Sequence, residues 1–254
     1  MNQITIMYPT RNRIHKLLTS IESVFAPDIP ETPIEIVVVC DGDKLTAGAI
    51  LDYKRVARLI YVRDHKGSVY ARNLISQTTE GNLICAVDDI TFYPEAIDEA
   101  AAEMRRSFPD TDGVVGFRRA DRDHTKLNKS SGMYGGVALI GQKFLQRYPN
   151  RKICFPGYFL FAAQEMTNLA VKVGKGVIAE KAKIFHHSPR KGGDIDQTHL
   201  EGRQYKRRDA DMRRARAKCG LLWGWEMEGF LYDRTMGIKA EETERYLKSK
   251  GIQK

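Results

Sequence analysis

The run Asn82-Leu83-Ile84-Cys85-Ala86-Val87 turns apolar after its first residue and stops on two adjacent carboxylates, Asp88 and Asp89. An unbroken apolar run of this length reads as a strand buried on both faces, the situation of a parallel sheet covered by helices. Two negative charges at its end repel each other and resist burial. They need a cation, a helix N-terminus or solvent. In open α/β sheets ligands bind at the carboxyl ends of strands. A hard divalent ion bridging carboxylate and phosphate oxygens meets all these conditions. An isolated Asp-Asp is more often a helix cap or a turn, so the rest of the chain has to decide between the two.

The first half alternates strands and helices. Strands are expected at 4–8, 34–40, 59–62 and 83–87, and helices at 13–25, 46–55, 69–78 and 94–108. Within 13–25, Ile14, Leu17, Leu18, Ile21, Val24 and Phe25 recur at helical spacing. This βα repeat argues for a parallel, doubly wound sheet with right-handed crossovers. The second half is less regular, with strands expected at 114–117, 136–140 and 176–185 and a helix at 164–173. No linker separates the halves. The expected organisation is a donor-side half at 1–110, an acceptor-side half at 111–200 packed on it, and a basic helical extension at 201–254.

A chain of 254 residues is long enough for one large α/β domain or two small ones. No apolar run approaches the ~20 residues that span a bilayer. The first residues read as a strand, without the pattern of a signal peptide, so the expected location is cytoplasmic. Cys40, Cys85, Cys154 and Cys219 are far apart and form no CxxC pair, which favours free thiols over a zinc site. The net charge of +9 is unevenly placed: residues 203–218 carry eight Lys and Arg against two Asp. That stretch reads either as a solvated helix face or as a surface for phosphate-rich partners, nucleic acid or an anionic membrane.

Four polar segments fall at the ends of consecutive apolar strands. They are Pro9-Thr10-Arg11-Asn12-Arg13, Asp41-Gly42-Asp43, His65-Lys66-Gly67-Ser68 with Arg72-Asn73, and Asp88-Asp89. In a parallel sheet they would line one crevice. Their order resembles the nucleotide-binding half of a family 2 glycosyltransferase of the GT-A fold, over roughly residues 3–98. Gly135 to Ile140 and Ala182 to Ser188 extend the resemblance into the second half.

The resemblance implies a Rossmann-like, mostly parallel sheet flanked by helices, with a mixed acceptor-side half. It implies a metal-dependent transfer of a sugar from a nucleoside-diphosphate sugar, with UDP as the nucleotide and Mn²⁺ or Mg²⁺ as the metal. Pro9, Thr10, Arg11 and Asn12 would border the nucleoside. Asp41 would accept a hydrogen bond from base or ribose, Arg72 would reach the base or diphosphate, and Lys66 would offset phosphate charge. Asp88 would face the ribose or sugar and Asp89 would hold the metal. Of the histidine pair His186 and His187, His187 is expected to complete the metal shell, if the strand alternation after Phe185 carries it inward. Arg190 lies in a basic loop over the phosphates.

The family's catalytic Glu-Asp pair has an imperfect counterpart in Ala163-Gln164-Glu165-Met166. Glu165 is either the base, with Gln164 in place of the Glu, or it matches the Glu and leaves Met166 where the Asp belongs. Methionine cannot take a proton, so Glu165 is taken as the base. The acceptor is expected to be a saccharide or cell-envelope hydroxyl. A hydroxylated DNA base, which would have to be flipped out of the duplex, is the second reading. A nucleotidyltransferase is disfavoured, because Pro9 to Arg13 is not a Gly-rich phosphate loop. A degenerate, non-catalytic nucleic-acid-binding fold is the remaining alternative.

Overall fold

A strand that is apolar on both faces needs a layer on each, and β1 (Ile4–Thr10) has both. The structure is a computed structural model that describes residues 3–121, 137–160, 169–170, 173–187, 198, 200–202, 205, 208–209 and 211–212. β1 pairs in parallel with β2 (Ile34–Asp41) on one side and β4 (Asn82–Cys85) on the other, and β3 (Arg58–Val62) extends the sheet beyond β2. Along β2, Ile36, Val38 and Cys40 face one layer while Val37 and Val39 face the other, the period of two that a strand imposes. The first layer is α1 (Ile14–Val24) with α4 (Ala96–Ser107), and the second is α3 (Ser68–Thr78). α1 buries Leu17, Ile21 and Val24. Each such side chain contributes about 1.5–3 kcal/mol.

α2 (Lys44–Ala49) is shorter than the expected 46–55. Asp43 caps it, its Oδ1 accepting Thr46 N at 3.0 Å. Beyond Ile50 the chain continues as turns, from which Tyr53 and Val56 still pack on the core while Leu51 is 68% exposed. Cys40 and Cys85 are buried free thiols, and Cys154 is buried as well. Cys219 lies outside the described residues.

Past β4 the sheet becomes mixed. β7 (Ala138–Ile140) runs antiparallel to both β4 and β6 (Val114–Arg119), β8 (Gly176–His186) runs parallel to β6, and β5 (Ile90–Phe92) closes the edge antiparallel to β8. The eight strands lie in the order β3-β2-β1-β4-β7-β6-β8-β5. β5 was not legible in the sequence, and it fixes the site. Asp88 and Asp89 form the link from β4 to β5, and Ile90 pairs with His186. The second half is pinned to α3 by a two-bond clamp, Asn73 Nδ2 to Cys154 O and Cys154 N to Asn73 Oδ1, both 2.9 Å.

Asp112, just before β6, accepts a bidentate pair from Arg147, Nε at 2.8 Å and Nη2 at 2.6 Å, with Lys175 Nζ at 3.4 Å. The Arg147 hydrogen bond holds its carboxyl below the ordinary 3.8, against the opposing pull of burial. A depressed folded pKa means that the stabilisation is complete above the unfolded value and is lost as pH falls through the folded one. Urea midpoints measured down through and below pH 3.8 should therefore fall more steeply for the wild type than for Arg147→Met. Equal slopes would refute the coupling.

Candidate active site

The carboxyl ends of β1, β2 and β4 bring together most of the residues expected there. Thr10, 3% exposed, ends β1 and donates through Oγ1 to Asp88 Oδ2 at 2.9 Å. Arg13, which the sequence reading gave no role, donates through Nη1 to Asp88 Oδ1 at 2.9 Å and lies 3.7 Å from Asp89 Oδ2. It is the cation that two adjacent buried carboxylates require. Burial pushes the Asp88 carboxyl up to about 6; Arg13 opposes the rise, and the neighbouring Asp89 adds to it.

Asp41 is turned inward as a loop-builder. Its Oδ1 accepts Lys66 N and its Oδ2 accepts Gly67 N, both at 2.7 Å, with His65 Nε2 at 3.4 Å from Oδ2. Burial holds His65 below its ordinary 6.5, with Asp41 pulling the other way. Gly67, at φ 95°, is required here: a Cβ would sit 2.6 Å from Phe159 O. Gly67 opens α3, and α3 carries Arg72. Arg72 is 3% exposed, reaches Ser68 Oγ at 3.3 Å and Ala86 O at 3.4 Å, and keeps a buried Nη1 without a partner among the described residues. Lys66 itself is exposed, and Pro9 is half-buried in β1.

Arg11 donates through Nη1 to Gly42 O at 2.7 Å and Asp41 O at 3.2 Å, and pairs with Glu201 at 3.1 Å. Asn12 N donates to Asp43 Oδ2 at 2.7 Å. The described residues of the C-terminal stretch pack along this flank: Tyr205 stacks on Phe159 at 3.8 Å, and Asp209, fully buried, accepts Phe159 N at 3.0 Å and Leu160 N at 2.6 Å. Most of the basic segment 203–218 lies outside the described residues.

His187 is not turned toward Asp89. Its Nε2 lies 2.8 Å from Thr91 Oγ1, whereas His186 Nε2 lies 3.2 Å from Asp89 Oδ1. The phase of β8 explains the difference. Ile184, 1% exposed, is the inward residue and Phe185, 37% exposed, is not, so alternation carries His186 inward and His187 outward. His187 N still donates to Asp89 O at 2.9 Å. Behind His186 stands a pair the sequence reading missed. Arg119, 6% exposed, binds Asp121 through Nε at 2.9 Å and reaches His186 Nδ1 through Nη2 at 2.9 Å. Burial raises the Asp121 carboxyl, and hydrogen bonds from Arg119 and from the His186 backbone outweigh it, leaving it below its ordinary value. A signal exists in the sequence: Arg118, Arg119 and Asp121 are polar residues just beyond the apolar run that ends at Phe117.

The sequence profile described as glycosyl transferase family 2 matches residues 5–167. The chain belongs to that family. As a family 2 transferase it shares its GT-A fold with solved structures of low sequence identity. S. aureus TarS 1-349 in complex with UDP-GlcNAc superposes with a TM-score of 0.63 at 16% identity, covering 97% of this chain and 72% of that one. The mannosyltransferase PcManGT from Pyrobaculum calidifontis, in complex with GDP-Man and Mn²⁺, gives 0.58 at 13% identity over 99% and 75%. GalNAc-T7 with UDP, GalNAc and Mn²⁺ gives 0.60 at 13% identity over 85% and 51%. No match is found among curated proteins.

Glu165 and Arg190, the expected base and phosphate-loop arginine of this family 2 transferase, lie outside the described residues. Among the described residues no three His, Cys, Asp or Glu side chains converge as a metal cage. A cage is not what Mg²⁺ or Mn²⁺ requires. Mg²⁺ takes one or two carboxylates and completes its shell with water and substrate phosphate; Asp89 would fit that pattern, since both oxygens of Asp88 already accept from Thr10 and Arg13. Among the described residues no helix is long and apolar enough to cross a membrane.

Proposed function

We propose that this family 2 transferase moves a sugar from a nucleoside-diphosphate sugar, with uridine as the nucleoside, to a hydroxyl acceptor of saccharide or cell-envelope type, with a divalent metal. The observation that carries the reading is the convergence of Thr10, Arg13, Arg72, Asp88 and Asp89 at the carboxyl edge of the sheet. The UDP and UDP-GlcNAc complexes of S. aureus TarS support the choice of donor.

Asp89 is the carboxylate that holds Mn²⁺ or Mg²⁺, whose positive charge stabilises the departing diphosphate. Asp88, fixed by Thr10 and Arg13, faces the ribose or sugar. Arg72 offers its buried Nη1, unpartnered among the described residues, to a phosphate oxygen, an ion pair strengthened by exclusion of water. Pro9, Thr10, Arg11 and Asn12 wall the nucleoside, and Lys66 and Arg190 add positive charge toward the phosphates. Glu165 takes the proton of the acceptor hydroxyl.

Isothermal titration of UDP and of GDP, with and without Mn²⁺, tests the reading. UDP should bind with Mn²⁺ present, and the double variant Asp88→Ala, Asp89→Ala should lose that binding. If neither nucleotide binds, or the double variant matches the wild type, the reading fails.

A further inference from the structure

We propose that Arg119 is a positioning residue that locks His186 in the tautomer protonated on Nε2, so that His186 turns an N–H toward Asp89 and is not a ligand of the metal. A guanidinium has five N–H donors and no acceptor, and it stays charged at every pH the protein meets. The ring nitrogen it faces, His186 Nδ1 at 2.9 Å, must therefore be the bare one. In the neutral ring the proton is then on Nε2, which lies 3.2 Å from Asp89 Oδ1, an acceptor. A flipped ring would set carbon atoms against both partners, so the orientation is fixed from two sides.

A histidine that binds metal has the opposite arrangement: its other nitrogen carries the proton and donates it to a carboxylate or carbonyl. Here that place is held by a donor. Arg119 cannot easily withdraw, because it is clamped by Asp121 and both are buried. The sheet is built to deliver it. β6 and β8 pair Phe117 with Ala179 but Arg118 with Lys183 and Arg119 with Ile184, so Glu180, Lys181 and Ala182 fall between the two registers. Without that irregularity Arg119 would stand opposite Lys181, away from His186. Such irregularities re-aim side chains beside active sites.

The consequence for Asp89 rests on its proposed role as the metal carboxylate: an N–H facing Oδ1 at 3.2 Å helps to orient it and leaves its remaining lone pairs for the ion. The tautomer itself is read without metal or donor. Long-range ¹H–¹⁵N correlation of the imidazole rings in ¹⁵N-labelled full-length protein tests it, at a pH above the histidine titration range. His186 is assigned by the signals lost in His186→Gln. The wild type should show His186 protonated on Nε2 and bare on Nδ1. Arg119→Lys, still only a donor, should keep that form. Arg119→Gln, whose amide can donate or accept, should yield a mixture of both. Adding Mg²⁺ and UDP should leave the Nε2 proton in place. A wild-type ring protonated on Nδ1, or an Nε2 that loses its proton when Mg²⁺ and UDP bind, would overturn the proposal. The wild-type arms decide even if Arg119→Gln fails to fold, and a failure of UDP to bind would count against the donor reading alone.

Discussion

Asp89→Asn should lower donor turnover on the order of 10²–10³-fold while the protein stays folded, the loss typical of removing one preorganised electrostatic contact at a reacting centre. The substitution keeps size and shape. The new amide can keep a carbonyl oxygen facing His186 Nε2, 3.2 Å from Oδ1 in the wild type, and the backbone bond from His187 N to the carbonyl of residue 89 does not involve the side chain. What disappears is one negative charge at the place proposed for the metal. Thermal melting should therefore change little, while steady-state turnover of a UDP-sugar, followed by mass spectrometry, should collapse. The dependence of UDP affinity on Mn²⁺ should weaken in the same variant. Unchanged turnover with unchanged Mn²⁺ dependence would remove Asp89 from the metal and with it the proposed chemistry.

The opposite outcome is expected of the neighbouring carboxylate in one respect. Asp88 receives Thr10 Oγ1 and Arg13 Nη1 at 2.9 Å each and is 4% exposed, so its charge is part of the protein's own buried network. Breaking such a pair leaves Arg13 without one of its buried partners, which destabilises more than the pair itself stabilises. Two adjacent aspartates in one motif thus carry separable burdens, one toward chemistry and one toward the fold that presents it.

Much of this was legible because burial writes itself into composition. β1, β2 and β4 are covered on both faces, and strands so placed read as continuous apolar runs; their polar ends then mark the crevice without any structure. β5 was illegible for the same reason in reverse. Ile90-Thr91-Phe92 is too short to show a period, and it exists as a strand only through its pairing with β8. The histidine pair was misphased because Phe185 looks like a core residue by type, whereas Ile184 is the buried one. Arg119 and Asp121 follow the apolar run that ends at Phe117 and so carry a strand-end signal, but the register irregularity that turns Arg119 toward His186 has no local signature. Asp41 shows a further limit: an aspartate at a strand end can serve the ligand or the loop, and sequence cannot say which oxygen faces what.

Asp41→Asn separates those two roles. The carboxylate accepts two backbone N–H groups at 2.7 Å, from Lys66 and Gly67, and an asparagine has one acceptor oxygen and one donor nitrogen. One of the two N–H groups would face another donor. Losing a hydrogen bond to a charged group costs about 1.5–3 kcal/mol, which in a protein of this size lowers the melting temperature by roughly 3–12 °C. The loop cannot relax freely, because Gly67 is wedged against Phe159 on its other side. The displacement passes instead into the start of α3, where Val69 N is tied to Phe159 O at 3.1 Å and Arg72 follows one turn later. UDP affinity should therefore fall together with the melting temperature. A nucleobase contact alone predicts weaker UDP binding at an unchanged melting temperature, and that result would return Asp41 to the ligand and leave the 65–67 loop to be held by other bonds.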